Sequence, residues 1–119
     1  MRTLEQKRAE FAYEKVRSVK GSGFEEEYAS YVKSAPAQIL TNGLGATLAY
    51  FRSKKKDAYS TLYNHIEEWL KKCGFCDGDI LGWITRADSL RVFQATRETL
   101  ALLNWMTKFA KSILEEETE

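Results

Sequence analysis

The sequence predicts an all-α protein, a single-domain bundle of six or seven helices with a long C-terminal helix. Apolar residues recur at three- and four-residue spacing through most of the 119 residues, as they do on one face of a helix. No segment shows the sustained two-residue alternation of a half-buried strand. The single proline and most of the glycines fall between helical segments, where they would separate one helix from the next.

The length fits one domain spanning 1–119, with an acidic tail at 115–119. With 44% hydrophobic residues, the chain has enough apolar surface to form a core. It contains no run of 18 apolar residues and begins with charged residues, so neither a membrane span nor a secretion signal is expected. Two cysteines are too few for a disulfide scaffold, and we therefore expect a cytoplasmic protein.

The first two helices have clear start signals. Thr3 is predicted to cap a first helix that ends near Lys20, and Gly21-Ser22-Gly23 ends it. A second helix begins near Phe24, because three glutamates in its first turn complement the helix dipole. The apolar residues expected to face the core from these two helices are Ala9, Ala12, Tyr13, Val16, Val19, Phe24, Tyr28, Tyr31 and Ala35.

Pro36 is predicted to open a separate, short third helix, because proline suits the first helical position and disfavours helical backbone in the residue before it. Ile39 and Leu40 would point inward from this helix. Asn42-Gly43 would end it, since both residues tolerate left-handed backbone. A fourth helix then runs from Leu44 to about Lys54.

Asp57 is predicted to cap a fifth helix that ends near Cys73. A short helix holds Ile80 to Ile84, and Asp88 or Ser89 caps a last helix of about 26 residues. At 1.5 Å per residue, this last helix is about 39 Å long. It is apolar around most of its circumference, and its polar positions fall mainly on one narrow line: Arg97, Asn104, Lys108 and Lys111.

The net charge of +1 hides an uneven distribution of charge. The tail 115–119 carries four acids, and without it 18 Lys and Arg stand against 13 Asp and Glu, a net charge of +5. We predict two basic clusters. The first cluster is Lys33, Arg52, Lys54, Lys55 and Lys56, and the second is Arg97, Lys108 and Lys111. Each is either a set of solvated helix ends or a phosphate-binding surface, and the tail is either disordered or a shield for one cluster.

The glycines at 43 and 45 do not predict a nucleotide site. A phosphate-binding glycine loop follows a strand and opens a helix, whereas Asn42-Gly43-Leu44-Gly45 follows a predicted helix. The stretch is therefore interpreted as a helix corner, in which Gly43 supplies left-handed backbone and Gly45 permits close packing.

Candidate catalytic, metal-binding and redox residues are few. Cys73 and Cys76 have CxxC spacing without a second ligand pair, and Cys73 lies at a helix C-terminus, where the dipole disfavours a thiolate. We expect a core thiol at Cys73 and a loop thiol at Cys76, with a metal or redox protein as the alternative. His65 is predicted to be an ordinary surface residue. We predict no enzyme activity, no catalytic residues, no metal and no cofactor.

Two stretches carry a resemblance to a known family. Residues 33–44 resemble the pattern Lys-x-x-Pro-x-x-Ile-x-x-Asn-Gly-Leu. Residues 95–110 resemble an ending that begins Ala-Thr-Arg-Glu-Ala-Leu and closes with Leu-x-Trp-Leu-Lys-Arg-Phe-Ala. Both are similar to the small helical subunit of the type III-B CRISPR effector, the Cmr complex. Thr99 stands where the pattern has Ala, and Met106-Thr107 stands where it has Leu-Lys, so one positive charge is missing.

The resemblance implies a non-catalytic role in antiviral defence. Such subunits stack on further copies of themselves in the minor filament, beside the guide RNA–target RNA duplex that the backbone subunit holds. A large polymerase-like subunit completes the expected set of partners, and no membrane partner is expected. The basic clusters would then contact RNA phosphates. The alternative interpretation is a generic helical protein-interaction module without direct nucleic-acid binding.

Overall fold

The computed structural model describes residues 1–115, and the regular secondary structure in that range is entirely helical. Its elements are α1 (Leu4–Val19), α2 (Glu25–Asn42), α3 (Leu44–Ser53), α4 (Asp57–Lys72), α5 (Ile80–Arg86), α6 (Ser89–Phe109) and a π-helical segment (Ala110–Leu114). The predicted all-α class with a long C-terminal helix is confirmed. Of the predicted acidic tail, residues 116–119 lie outside the described part of the chain.

The longest helix, α6, is the central spine of the bundle. Helix α1 packs against α6, whereas α2 packs against α3, α4 and α6. The core side chains that are completely or almost completely buried include Val16, Tyr28, Leu48, Phe51, Leu62, Ile66, Leu70, Ile80, Leu102, Leu103 and Met106. Within residues 1–115, no helix is long and apolar enough to cross a membrane.

Capping residues explain where several helices begin. Thr3 and Gln6 form a reciprocal capping box. The backbone N–H of Gln6 donates to Thr3 Oγ1 at 3.1 Å, and the backbone N–H of Thr3 donates to Gln6 Oε1 at 2.8 Å. The Asp88 carboxylate accepts the Arg91 amide at 2.9 Å and caps α6. Asp57 was predicted as a cap, but it is instead the first residue of α4, with Lys56 in the capping position.

The prediction of a separate helix at Pro36 is wrong, because α2 continues through it to Asn42. Proline removes one helical hydrogen bond and crowds the preceding turn, at a cost of about 3 kcal/mol. Val32 and Ala35 before it and Ile39 after it are buried in one core, which holds both halves of the helix in line. Leu40 was predicted to point inward, but in the continuous helix its side chain is 75% exposed.

The corner between α2 and α3 is the one predicted. Gly43 has φ +90°, a backbone conformation that residues with a Cβ rarely adopt. A Cβ at Gly45 would lie 3.2 Å from Cγ2 of Ile84, so the glycine lets α3 approach α5 closely. Asn42 needs no such freedom, since it is the last residue of α2.

Candidate nucleic-acid interface

Three of the five cations of the first basic cluster have carboxylate partners from other parts of the chain. Lys33 Nζ forms an ion pair with Glu115. Arg52 lies 3.2 Å from Asp79 Oδ1, and Lys56 Nζ lies 4.0 Å from Glu27 Oε2. These three cations therefore have local partners, and the structure distributes them over α2, the end of α3 and the start of α4.

Arg52 belongs to a polar network around a surface cavity of about 680 Å³. Its guanidinium lies 5.7 Å from the Tyr63 ring centroid, and the Tyr63 hydroxyl donates to Asp79 Oδ1 at 3.2 Å. The Asp79 carboxylate also accepts a hydrogen bond from the backbone N–H of Gly82. This bond is the main cause that lowers the pKa of Asp79, and Tyr63 and Arg52 act in the same direction. The arrangement gives Arg52 a structural role between α3 and α5 and reduces its availability for an external anion.

Lys54 and Lys55 differ from the rest of the first cluster, since neither has an ion pair within residues 1–115. Lys54 Nζ lies 5.4 Å from the centroid of the Tyr50 ring. Lys55 lies in the turn between α3 and α4 with φ +53°, in the left-handed region. The part of the first cluster that stays available to a polyanion is therefore mainly this lysine pair.

The second cluster lies along one exposed side of α6. Arg97 and Lys108 are 11 residues apart, which places them within about 20° of each other around the helix and about 16 Å apart along it. Lys111 follows in the π-helical segment. Asn104 lies between them, and all four residues are exposed. We call Arg97, Asn104, Lys108 and Lys111 the α6 stripe.

No cation of the α6 stripe forms an ion pair with a carboxylate of the described residues. Two of the three lie over aromatic rings instead. The Arg97 guanidinium lies 5.8 Å from the Phe93 centroid, and Lys108 Nζ lies 5.1 Å from the centroid of Trp105. The stripe is therefore a row of cations whose charge is not locally compensated, which is the arrangement that attracts phosphates.

The side of α6 opposite the stripe packs against the rest of the bundle. Ala95 and Thr99 are completely buried. Glu98 accepts hydrogen bonds from Nε and Nη2 of Arg8, the latter at 2.8 Å, and from Trp69 Nε1 at 3.0 Å. The Arg8 guanidinium is the main cause that lowers the pKa of Glu98. This cluster joins α1, α4 and α6.

Sequence reasoning missed the partner of Glu98, although one signal was present. Glu98 precedes Leu102 by four residues and Trp105 by seven, so it lies on the apolar side of α6. A carboxylate on such a face requires a cation or hydrogen-bond donors from another element. Helix α1 supplies a second link, since Trp105 Nε1 donates to Glu5 Oε1 at 2.6 Å.

The surface position predicted for His65 is wrong, because its side chain is only 8% exposed. Its Nδ1 lies 2.6 Å from the Tyr28 hydroxyl and joins α4 to α2. Burial is the main cause that lowers the pKa of His65 to about 4, with Lys15 acting in the same direction and Glu68 opposing it. The error arises because Leu62 and Trp69, three residues before and four after, extend the buried face of α4 to this position.

The burial predicted for the two thiols is reversed. Cys76 in the loop is 7% exposed, whereas Cys73 is half-buried. Burial raises the pKa of the Cys73 thiol to about 11 and also raises that of Cys76, so both are protonated at neutral pH. In residues 1–115, no group of three His, Cys, Asp or Glu side chains could hold a metal ion.

Comparison with known proteins agrees with this architecture. The family model described as CRISPR-associated protein (Cas_Cmr5) matches residues 4–113. A curated protein of Thermus thermophilus, the CRISPR system Cmr subunit Cmr5, is 36% identical over 118 residues, which cover 98% of this chain and all of that protein. A crystal structure of a CRISPR-associated Cmr5 family protein, also from Thermus thermophilus, superposes with a TM-score of 0.84 at 31% identity, covering 97% of this chain and all of that one. The family resemblance predicted from the sequence is thereby confirmed, and the chain belongs to the Cmr5 family of CRISPR-associated proteins.

Proposed function

We propose that this chain is a non-catalytic small subunit of a type III-B CRISPR ribonucleoprotein, the Cmr complex. In this proposal, copies of it stack in the minor filament along the guide RNA–target RNA duplex and support target RNA binding in antiviral defence. Its partners are the backbone subunit, the large polymerase-like subunit and further copies of itself, and its location is the cytoplasm. Its membership of the Cmr5 family and the Cmr subunit name of its relative support this assignment.

The α6 stripe is the observation that carries the RNA-binding part of the proposal. Lysine and arginine side chains bind a nucleic-acid backbone by neutralising phosphates, which requires no reading of sequence. Arg97, Lys108 and Lys111 meet this requirement, since they share one exposed side and have no carboxylate partner among the described residues. Lys54 and Lys55 are a secondary contact in the same proposal.

The environment of the titratable groups supports a non-catalytic role. A general base needs an accessible lone pair near the proton that it removes. His65 directs Nδ1 to the buried Tyr28 hydroxyl instead. A nucleophilic cysteine needs a lowered pKa, whereas burial raises the pKa of both thiols.

The test is target RNA binding by a reconstituted Cmr complex that carries Arg97→Glu, Lys108→Glu and Lys111→Glu together. We expect at least about a tenfold loss of affinity at physiological salt, because three phosphate contacts become three repulsions. The matched control reverses three exposed cations of α1 and its C-terminal end, Lys7, Arg17 and Lys20.

Unchanged RNA affinity of a fully assembled stripe variant would contradict the RNA contact. The alternative function, a helical module that binds only protein, is favoured by the exposed Leu90 and Phe93 at the start of α6. It would be supported if the stripe variant failed to enter the complex while the incomplete complex bound RNA normally.

A further inference from the structure

At three places on the helix surfaces, the charged group of a lysine or arginine lies over the aromatic ring of the residue four positions earlier. The pairs and their distances from cation to ring centroid are Tyr13–Arg17 at 5.7 Å, Tyr50–Lys54 at 5.4 Å and Phe93–Arg97 at 5.8 Å. Phe93 is the most exposed of the three rings, at 56%. Tyr13 packs edge-on against Phe109, and Tyr50 packs against Tyr59. Within residues 1–115, the Phe93 ring forms no aromatic pair.

Phe93 lies at the N-terminal end of the α6 stripe. It precedes Arg97 by four residues, which places the two side chains within about 40° of each other around the helix. The distance along the helix from Phe93 to Lys111, the last residue of the stripe, is about 27 Å. An exposed ring that continues into a row of uncompensated cations combines the two features that bind single-stranded nucleic acid, a stacking surface and a phosphate track.

We propose that Phe93 and Arg97 form a stacking platform for an unpaired nucleobase of RNA whose phosphates follow the α6 stripe. This inference rests on the proposed function, since it uses the same surface. Aromatic rings and guanidinium planes both stack on bases in RNA recognition. A base inserted here would contact the Phe93 ring, while Lys108 and Lys111 bind the backbone further along.

A protein partner fits this surface less well. Leu90, at 63% exposure, is the other large exposed apolar side chain at this end of α6. A stable protein interface buries about 800 Å² on each side around an apolar centre from which charges are depleted. Here, only Leu90 and Phe93 are large exposed apolar side chains, and the exposed residues near them in the sequence are polar, among them Arg91, Gln94 and Arg97. The excess of uncompensated positive charge along the stripe is complementary to a polyanion.

The experiment compares two probes on the full-length chain at low salt. One is an oligoadenylate of about 12 nucleotides, and the other is an abasic sugar-phosphate oligomer of the same length. We expect the unmodified chain to bind the oligoadenylate at least about fivefold more tightly than the abasic oligomer, since one stacked base contributes at least that factor. Phe93→Leu should abolish this preference and leave binding of the abasic oligomer unchanged, whereas Phe93→Tyr should retain the preference.

Two controls separate stacking from general apolar contact. Leu90→Ala removes the neighbouring apolar side chain, and Tyr13→Leu removes a ring that also lies beside an arginine but away from the stripe. Both should retain the preference for oligoadenylate. Loss of assembly into the Cmr complex in Phe93→Leu and Leu90→Ala alike, with base preference intact, would show a protein-docking surface and overturn the proposal.

The remaining outcomes distinguish this inference from the function on which it rests. If Phe93→Leu keeps the base preference while Lys108→Gln weakens both probes, the stripe binds phosphates and the platform is absent. If the unmodified chain binds neither probe at low salt, the RNA-binding surface itself is wrong and the platform falls with it.

Discussion

The two sides of α6 use charged residues in opposite ways. Glu98 on the inner side receives three hydrogen bonds from Arg8 and Trp69 and is only 11% exposed. Arg97, the preceding residue, is exposed and has no carboxylate partner among residues 1–115. Two adjacent residues therefore differ in their surroundings, since Glu98 on the inner side links α6 to α1 and α4, whereas the charge of Arg97 on the outer side is not compensated by a carboxylate within residues 1–115.

The most severe loss should come from breaking the inner side with Glu98→Ala. This change leaves the Trp69 N–H without its acceptor and leaves the Arg8 guanidinium with Glu5 as its remaining carboxylate partner. Because three hydrogen bonds in a partly buried place are lost, it should lower the free energy of unfolding by about 4 kcal/mol. Urea unfolding at pH 7 measures it. Glu10→Ala is the matched control, since Glu10 pairs with Arg2 on the surface and should cost less than about 1 kcal/mol. Equal losses in the two variants would contradict the structural role of Glu98.

Acid should weaken the inner packing without removing the charge of the stripe. The folded-state pKa of His65 is about 4, below its ordinary value of 6.5, so the unfolded chain binds the proton first as the pH falls. The stability contributed by neutral His65 is complete above about pH 6.5 and is lost progressively down to about pH 4, by about 3 kcal/mol.

Urea unfolding of the natural chain and of His65→Gln at several pH values checks this prediction. Glutamine keeps an acceptor for the Tyr28 hydroxyl but does not titrate. Its free energy of unfolding should therefore change less between about pH 6.5 and about pH 4.5. The same pH dependence in both proteins would assign the acid sensitivity to other groups.

Removing charge from the outer side of α6 should change RNA binding and leave the free energy of unfolding almost unchanged. Lys108→Gln with Lys111→Gln should lower the slope of log affinity for RNA against log salt by about 1.5, because two phosphate contacts are lost. The free energy of unfolding should stay within about 0.5 kcal/mol, as is usual for exposed positions. Filter binding across a salt series and urea unfolding measure the two quantities. A lower free energy of unfolding with no change in the salt dependence of RNA affinity would contradict an RNA-binding role for these two lysines and indicate a structural one.

The weakest effect is expected at the first cluster. Lys54→Gln with Lys55→Gln should weaken RNA binding about two- to threefold, since these lysines lack ion pairs in the described structure but form a short patch. Arg52→Gln should change affinity less, because Asp79 already partners that side chain. Binding by the assembled complex at physiological salt ranks the variants. A larger loss for Arg52→Gln would mean that Asp79 releases it on binding.

The two basic clusters differ in how far the sequence could predict them. Helical periodicity was sufficient to place Arg97, Asn104, Lys108 and Lys111 on one side of one helix, because that geometry is local. The counter-ions of the first cluster come from distant parts of the chain, as with Lys33 and Glu115, which are 82 residues apart. Spacing along the sequence contains no information on such pairs, so the neutralisation of the first cluster was not predictable.

The errors in the fold have the same origin. Pro36 has a strong local preference for a helix start, but burial of Val32, Ala35 and Ile39 outweighed it. His65 and Leu40 were misplaced because the width of a buried helix face depends on how many neighbours pack on it. The Thr3 cap was predicted correctly, and Asp88 is one of the two caps proposed for the last helix, since a cap acts within three residues of its own position.

The contact between α1 and α6 affects how the chain folds during synthesis. Arg8 and Glu98 are 90 residues apart, and Glu5 and Trp105 are 100 apart. At about 5–20 residues per second, a ribosome makes α1 roughly 5–20 s before the helix that covers it. Through that interval, the apolar side of α1 lacks its native partner, so the nascent chain is a candidate client for chaperones until translation of α6 is complete.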